Sequence, residues 1–158
     1  MGAPDAGGLT LNPIGRVEGG RGEPVDDDWG DVEAVIRLDD RFGPEALAGL
    51  DAFSHLEVIY AFHLAEEAAV EHGARHPRGN PDWPRVGIFA QRGKDRPNRL
   101  GVSRCELLRV DGTAVWVRGL DAVDGTPVLD LKPWMAEFGP RGETRQPAWA
   151  SELMRGYW

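Results

Sequence analysis

Residues 32–38 alternate Val32, Ala34, Ile36 and Leu38 with Glu33, Val35 and Arg37, the period-two pattern of a half-buried β-strand. Residues 56–62 are nearly all apolar or aromatic, which predicts a central strand covered on both faces. The clearest hairpin joins residues 107–110 to 114–117 through Asp111-Gly112, a dipeptide suited to the two positive-φ positions of a type I′ turn. Further strands are expected at residues 9–17, with Pro13 at an edge position, and at 86–90, 101–110 and 128–132. Helical character is limited to one or two turns over residues 44–50 and a short Ala- and Glu-rich helix over 64–72. Residues 19–30, 76–84, 91–101 and 119–127 have loop composition.

About seven strands without a strand–helix rhythm predict a mainly β, single-domain fold, a barrel or strongly curved sheet with a few short helices. Residues 1–8 are Gly-rich and expected to be flexible, residues 9–135 to form the β-barrel domain, and residues 136–158 to form a tail. Trp149, Leu153 and Tyr157 share one face of that tail at helical spacing. Packing on the barrel or on a dimer partner is the favoured reading of this amphipathic tail, ahead of a lid over a ligand.

Composition narrows the classes. The 158 residues are enough to bury one core, and no run of about 18 apolar residues could span a bilayer. The N-terminus has neither the basic nor the apolar region of a signal peptide, so a soluble cytoplasmic protein with no membrane association is expected. A single cysteine, Cys105, excludes an intrachain disulfide and a CxxC metal site, and suits a small core or half-buried residue. The net charge of −8 argues against binding nucleic acid through the whole surface. Residues 75–109 nevertheless hold nine basic against three acidic side chains, a patch that suits an anionic substrate, a local RNA contact or simply a solvated face.

Phosphate-loop, dinucleotide-binding, HExxH and GxSxG patterns are all absent, and none of His55, His63, His72 and His76 falls into metal-ligand spacing. Two polar loops stand out instead. The first, residues 91–101, offers Arg92, Lys94, Arg96, Asn98 and Arg99, with Pro97 fixing backbone and Gly93 and Gly101 permitting close approach. Such a loop could hold a carboxylate or phosphate through arginine forks. The second, residues 119–127, offers Asp121, Asp124 and Thr126 around Gly125, and by spacing alone reads as an ordinary Asx-type turn before a strand.

Read together, GLDAFSHLEVIYAFH, GIFAQRGKDRPNRLGVS and LDAVDGTPVLDLKPW occur in order and each resembles a core motif of the TsaA-like (TrmO-type, YaeB-like) methyltransferases. That resemblance implies a β-barrel enzyme, typically a homodimer, that uses S-adenosyl-L-methionine without a Rossmann fold or a metal. It implies N-methylation of threonylcarbamoyladenosine beside the tRNA anticodon. Carried over by matching position, His63, Leu64, Arg92, Ser103 and the run Asp121, Ala122, Val123, Asp124, Gly125 and Thr126 would bind the cofactor. Lys94, Arg96, Asn98 and Arg99 would face the acceptor, and Asp124 would take the proton lost from the amine.

Departures fall on the acceptor side. Gly93, Lys94 and Asp95 replace the middle of the usual ATRSPxRPNPIG motif, and Arg99 replaces a proline. Residues 22–28 are acidic where some members have Pro-Arg-Gln. A small-molecule or other nucleotide acceptor therefore stays open beside tRNA, as does a non-catalytic module that only binds the cofactor.

Overall fold

The structure, a computed structural model, describes residues 8–158; the flexible segment expected over residues 1–8 lies, but for Gly8, outside the described residues. Six strands close an antiparallel barrel in the order β1-β2-β7-β6-β3-β8. They are β1 (Gly15–Glu18), β2 (Glu33–Leu38), β3 (His55–Ala61), β6 (Leu100–Asp111), β7 (Ala114–Arg118) and β8 (Pro127–Pro133). A two-stranded ribbon, β4 (Ala74–Arg75) with β5 (Val86–Gly87), stands beside it.

Alternation decides the interior. Leu56, Val58 and Tyr60 of β3 point inward with Val17, Ile36, Val115, Val117 and Val128, all nearly or fully excluded from solvent. Glu57, Ile59 and Ala61 on the other face of β3 are only half-buried, so the strand is not covered on both faces as its apolar run suggested. A barrel has one interior, and the outward-facing side chains of this strand stay partly open to solvent.

Several boundaries move for physical reasons. Pro13 lies outside β1, whose pairing begins at Gly15, where the Arg37 carbonyl of β2 occupies the space a Cβ would need. Residues 64–72 form only a 3-10 turn at Glu67–Ala69, since Ala65 is the one buried side chain there and no apolar stripe exists to hold a helix against the barrel. The strand expected over 86–90 keeps two ladder residues and turns into a 3-10 segment, Ile88–Ala90. In the β6–β7 hairpin Asp111 pairs with Ala114, leaving Gly112 and Thr113 in the turn. Only Gly112 takes positive φ, the demand of a Gly-first turn rather than of a type I′ turn.

The tail contains one short helix, α1 (Ala148–Leu153). It is tied to its own chain: the Asp28 and Trp29 amides donate to the Gly156 and Tyr157 carbonyls at 3.0 and 2.8 Å, and Trp83 Nε1 donates to Glu152 at 2.8 Å. No described helix is long and apolar enough to cross a membrane.

Candidate functional site

The end of β3, the start of β6, the loop between β7 and β8, and the tail surround one large cavity of about 1220 Å3. Its floor is a product of strand register. Tyr60 sits across from Gly101, and a Cβ on Gly101 would lie 2.5 Å from the Tyr60 ring, so only glycine lets the ring lie flat toward the barrel end. Tyr60 then stacks edge-on against Phe62 at 5.3 Å and its phenol donates to Asp121 Oδ1 at 3.1 Å. Tyr157, arriving from the tail, donates to Asp121 Oδ2. Burial first, and then the Asp121 charge, pushes both phenols above the ordinary tyrosine range, so both act as donors.

Ser103 lies opposite Val58 on the inward face of β6, 6% exposed, and its Oγ has no hydrogen-bond partner among the described residues. Buried hydroxyls are rarely left so, and this one lines the cavity. The loop after β7 is stitched to the barrel by its backbone: Gly125 N–H donates to Val17 at 2.7 Å, and Thr126 Oγ1 donates to the Val123 carbonyl at 2.6 Å. Positive φ at Gly125 makes that turn.

His63, Leu64, Arg92, Ser103, Asp121, Ala122, Val123 and Thr126 line the cavity, as do Lys94 and Arg96. Asp124 and Gly125 do not. The Asp124 carboxylate accepts the Gly19 N–H at 2.8 Å, and its own amide donates to the Arg21 carbonyl at 2.7 Å. The long-range Gly19 bond to Oδ1 makes Asp124 a brace between two loops, and its side chain is exposed outside the cavity lining rather than aimed into it. Gly125 approaches the site from behind His63, whose Nε2 lies 3.7 Å from where a Cβ would stand.

The acceptor-side expectations divide in the same way. Arg99 donates to the Ala65 carbonyl at 2.9 Å, and neither it nor Asn98 lines the cavity. Both take positive φ, closing the loop into the start of β6. Arg96 lines the cavity while its guanidinium donates to the Gln91 carbonyl at 2.6 Å. Arg75, which the loop motif did not reveal, pairs with Asp95 at 3.0 Å and fills the space where a Gly93 Cβ would be, 2.9 Å from its Nη2. Gly93, Asp95 and Arg75 thus form one packed unit, and Lys94 is left at the rim with no acidic partner among the described residues. Arg92 donates to the Val102 carbonyl at 2.8 Å and is otherwise open to the cavity.

The acidic segment is also engaged. Asp27 pairs with Arg78 at 3.0 Å, and Arg21 reaches the Asp27 and Asp28 carbonyls while lying 4.6 Å over the Trp29 ring. Tyr60, Tyr157, Trp149 and Arg75 also line the cavity without having been named as site residues; Tyr60 stood within the first motif, Arg75 within the basic stretch, and the four-residue spacing of the tail was the only signal for Trp149 and Tyr157. No cluster of three or more metal-ligating side chains occurs among the described residues.

Comparison with known proteins agrees with this arrangement. The sequence profile of the tRNA-methyltransferase O N-terminal domain matches residues 21–139. A tRNA (adenine(37)-N6)-methyltransferase of Mus musculus is 34% identical over 142 residues, covering 85% of this chain and 32% of that protein. A probable S-adenosyl-L-methionine-binding protein of Pyrococcus abyssi is 32% identical over 147 residues, 87% of this chain and 74% of that one. The crystal structure of TrmO from Pseudomonas aeruginosa superposes with a TM-score of 0.73 at 26% identity, covering 92% of this chain and 63% of that one. The chain thus spans about a third of the length of the mouse relative. With the profile running through the barrel and both polar loops, the chain belongs to the tRNA-methyltransferase O N-terminal domain family.

Proposed function

We propose that the chain is an S-adenosyl-L-methionine-dependent methyltransferase that methylates the exocyclic nitrogen of adenosine 37 in tRNA, the acceptor being threonylcarbamoyladenosine. The observation that carries the reading is the cavity floor, where the unpartnered Ser103 hydroxyl and the Asp121 carboxylate face the same space as Arg92. These groups fit the cofactor's chemistry: Arg92 suits its carboxylate, Asp121 its ammonium or ribose hydroxyls, and Ser103 a polar edge. The relatives named above for tRNA methylation and for cofactor binding support the same assignment.

When bound, the cofactor supplies a methyl group on a sulfonium, electrophilic toward a nitrogen nucleophile. The chain's part is to bind, align and dry the reactants. Pockets of roughly 300–1,000 Å3 hold one drug-sized ligand, so about 1220 Å3 leaves room for the acceptor beside the donor. Tyr60, Phe62, Trp149, Leu153 and Met154 give that space apolar walls that exclude water. Holding the two reactants in alignment supplies most of the acceleration, and no covalent intermediate on the protein is required. Lys94 and Arg96 stand on the acceptor side; Arg96 is engaged with backbone carbonyls, and Lys94 has no acidic partner among the described residues. Leu64, Phe89, Leu100 and Val102 are exposed apolar side chains at the same cavity, and they support a homodimer formed across this face. A tRNA acceptor supports a cytoplasmic location for the protein.

The test is incubation with methyl-labelled cofactor and total tRNA from a strain lacking its own enzyme, followed by nucleoside digestion. Label should appear in N-methylated threonylcarbamoyladenosine. Label found only in small molecules would replace tRNA with a metabolite acceptor, and cofactor binding without any label transfer would reduce the chain to a binding module.

A further inference from the structure

Residues 146–158 lie outside the stretch matched by the family profile, yet they form one wall of the cavity and reach the half-buried Asp121 carboxylate on its floor. We propose that Tyr157 is a positioning residue: its phenol, acting with that of Tyr60, fixes the Asp121 carboxylate as the ligand-binding anion of the site and couples ligand binding to docking of the tail. The inference rests on reading the cavity as an S-adenosyl-L-methionine site.

The geometry gives each carboxylate oxygen one phenol. Tyr60 donates to Oδ1 at 3.1 Å, sharing its proton with the Asp121 carbonyl at 3.1 Å, and Tyr157 donates to Oδ2. A carboxylate oxygen offers two lone-pair directions, so each keeps one free for an ammonium or a pair of hydroxyls. With one donor alone the carboxylate could swing about its last torsion; with two, arriving from a barrel strand and from the tail, it is held. The two phenols come from residues 97 positions apart in sequence, so the hold exists only while the tail is seated.

The tail has little else to keep it there. A six-residue helix is far below the length at which a helix is stable alone, so α1 depends on contacts with the body. Those contacts are the two amide bonds from Asp28 and Trp29, the Trp83–Glu152 bond, and the close seat of the Trp158 backbone on Gly30, where a Cβ would meet it at 2.6 Å. Tyr157 is the one tail side chain that bonds to the β7–β8 loop. By linkage, any ligand that binds Asp121 better with the tail seated must also seat the tail more firmly.

The experiment uses the full chain and three variants, Tyr157→Phe, Asp121→Asn and the double variant, titrated calorimetrically with S-adenosyl-L-methionine and with S-adenosylhomocysteine. Amide hydrogen exchange at Asp28 and Trp29 is followed in parallel, because their donors report tail seating without any turnover. Tyr157→Phe keeps the ring and should weaken both ligands about tenfold, the loss of one hydrogen bond to a charged group. In the Asp121→Asn background the same change should cost less than about twofold, the non-additivity expected of one network. Ligand should slow exchange at Asp28 and Trp29 in the wild-type chain and do so much less in Tyr157→Phe. Losses that simply multiply, or a Tyr157→Phe chain that binds as the wild type does, overturn the proposal while leaving the cofactor site standing. A wild-type chain that binds neither ligand removes the cofactor reading itself, and this inference with it.

Discussion

Burial keeps three weakly acidic side chains protonated, Tyr60 and Tyr157 at the cavity and Cys105 in the barrel core beside it. Desolvation, and then the Asp121 charge, pushes the Cys105 thiol from 9.0 up to about 12, and the same two causes raise Tyr60 and Tyr157 above 10.0. In the unfolded chain these groups ionise at their ordinary values, so above pH 9 the unfolded state binds fewer protons than the native one and stability falls as pH rises. Below pH 9 the contribution is complete; it is lost on the way to about 12. Between pH 9 and 10 Cys105 accounts for about 1 kcal/mol of the decline, and the two tyrosines, half ionised in the unfolded chain by pH 10, add roughly 0.7 kcal/mol together. Urea titrations at pH 8, 9 and 10 should show this decline in the wild-type chain and one smaller by about 1 kcal/mol in Cys105→Ala, where only the tyrosines remain. An equal decline in both chains would remove the thiol from the account.

Among the elements, the barrel and the tail should part company under a single added methyl group. Gly30 has ordinary negative φ, so Gly30→Ala carries no backbone strain, but its Cβ would stand 2.6 Å from the Trp158 backbone and the tail must shift. Exchange at the Asp28 and Trp29 amides should quicken at least tenfold, while exchange within β3 and β6 holds and the thermal midpoint moves by only a few degrees. Protection at all four places lost together would mean that tail and barrel unfold as one unit. The strands of the barrel were legible because their alternation is local: Ala34, Ile36 and Leu38 announce β2 without reference to any neighbour. The short 3-10 turns were not, because a segment such as 64–72 has good helix formers and lacks only a surface to pack on, which is a tertiary fact. The site divides along the same line. Arg92, Ser103 and Asp121 lie in motifs and line the cavity; Asp124 lies in the same motif but turns its carboxylate to Gly19, and Tyr157 lies in no motif at all. Gly101 and Gly93 promised close approach, and what approaches is Tyr60 and Arg75.

For the whole molecule the proposed tRNA acceptor raises the question of how a chain of net charge −8 would receive an RNA. The basic stretch expected to meet it is largely spent internally: Arg75 on Asp95, Arg78 on Asp27, Arg104 on Glu57, and Arg96 and Arg99 on backbone carbonyls. Such pairing explains how a dense run of arginines can coexist with an acidic body, and it leaves few cations for phosphate. The RNA contact must then be small and local to the cavity rim, with Lys94 as its leading charge. Each phosphate neutralised on a single strand contributes roughly 0.7 to the slope of log affinity against log salt. Two or three such contacts give a slope no steeper than about −2, well short of the steep dependence of a protein that coats a duplex. Lys94→Ala should lower that slope by roughly 0.7 and weaken tRNA binding, with cofactor affinity unchanged, because Lys94 stands on the acceptor side. Fluorescence titrations of labelled tRNA across a salt series measure both quantities. A slope several times steeper, or one that Lys94→Ala leaves alone, would place the RNA on a different face of the barrel.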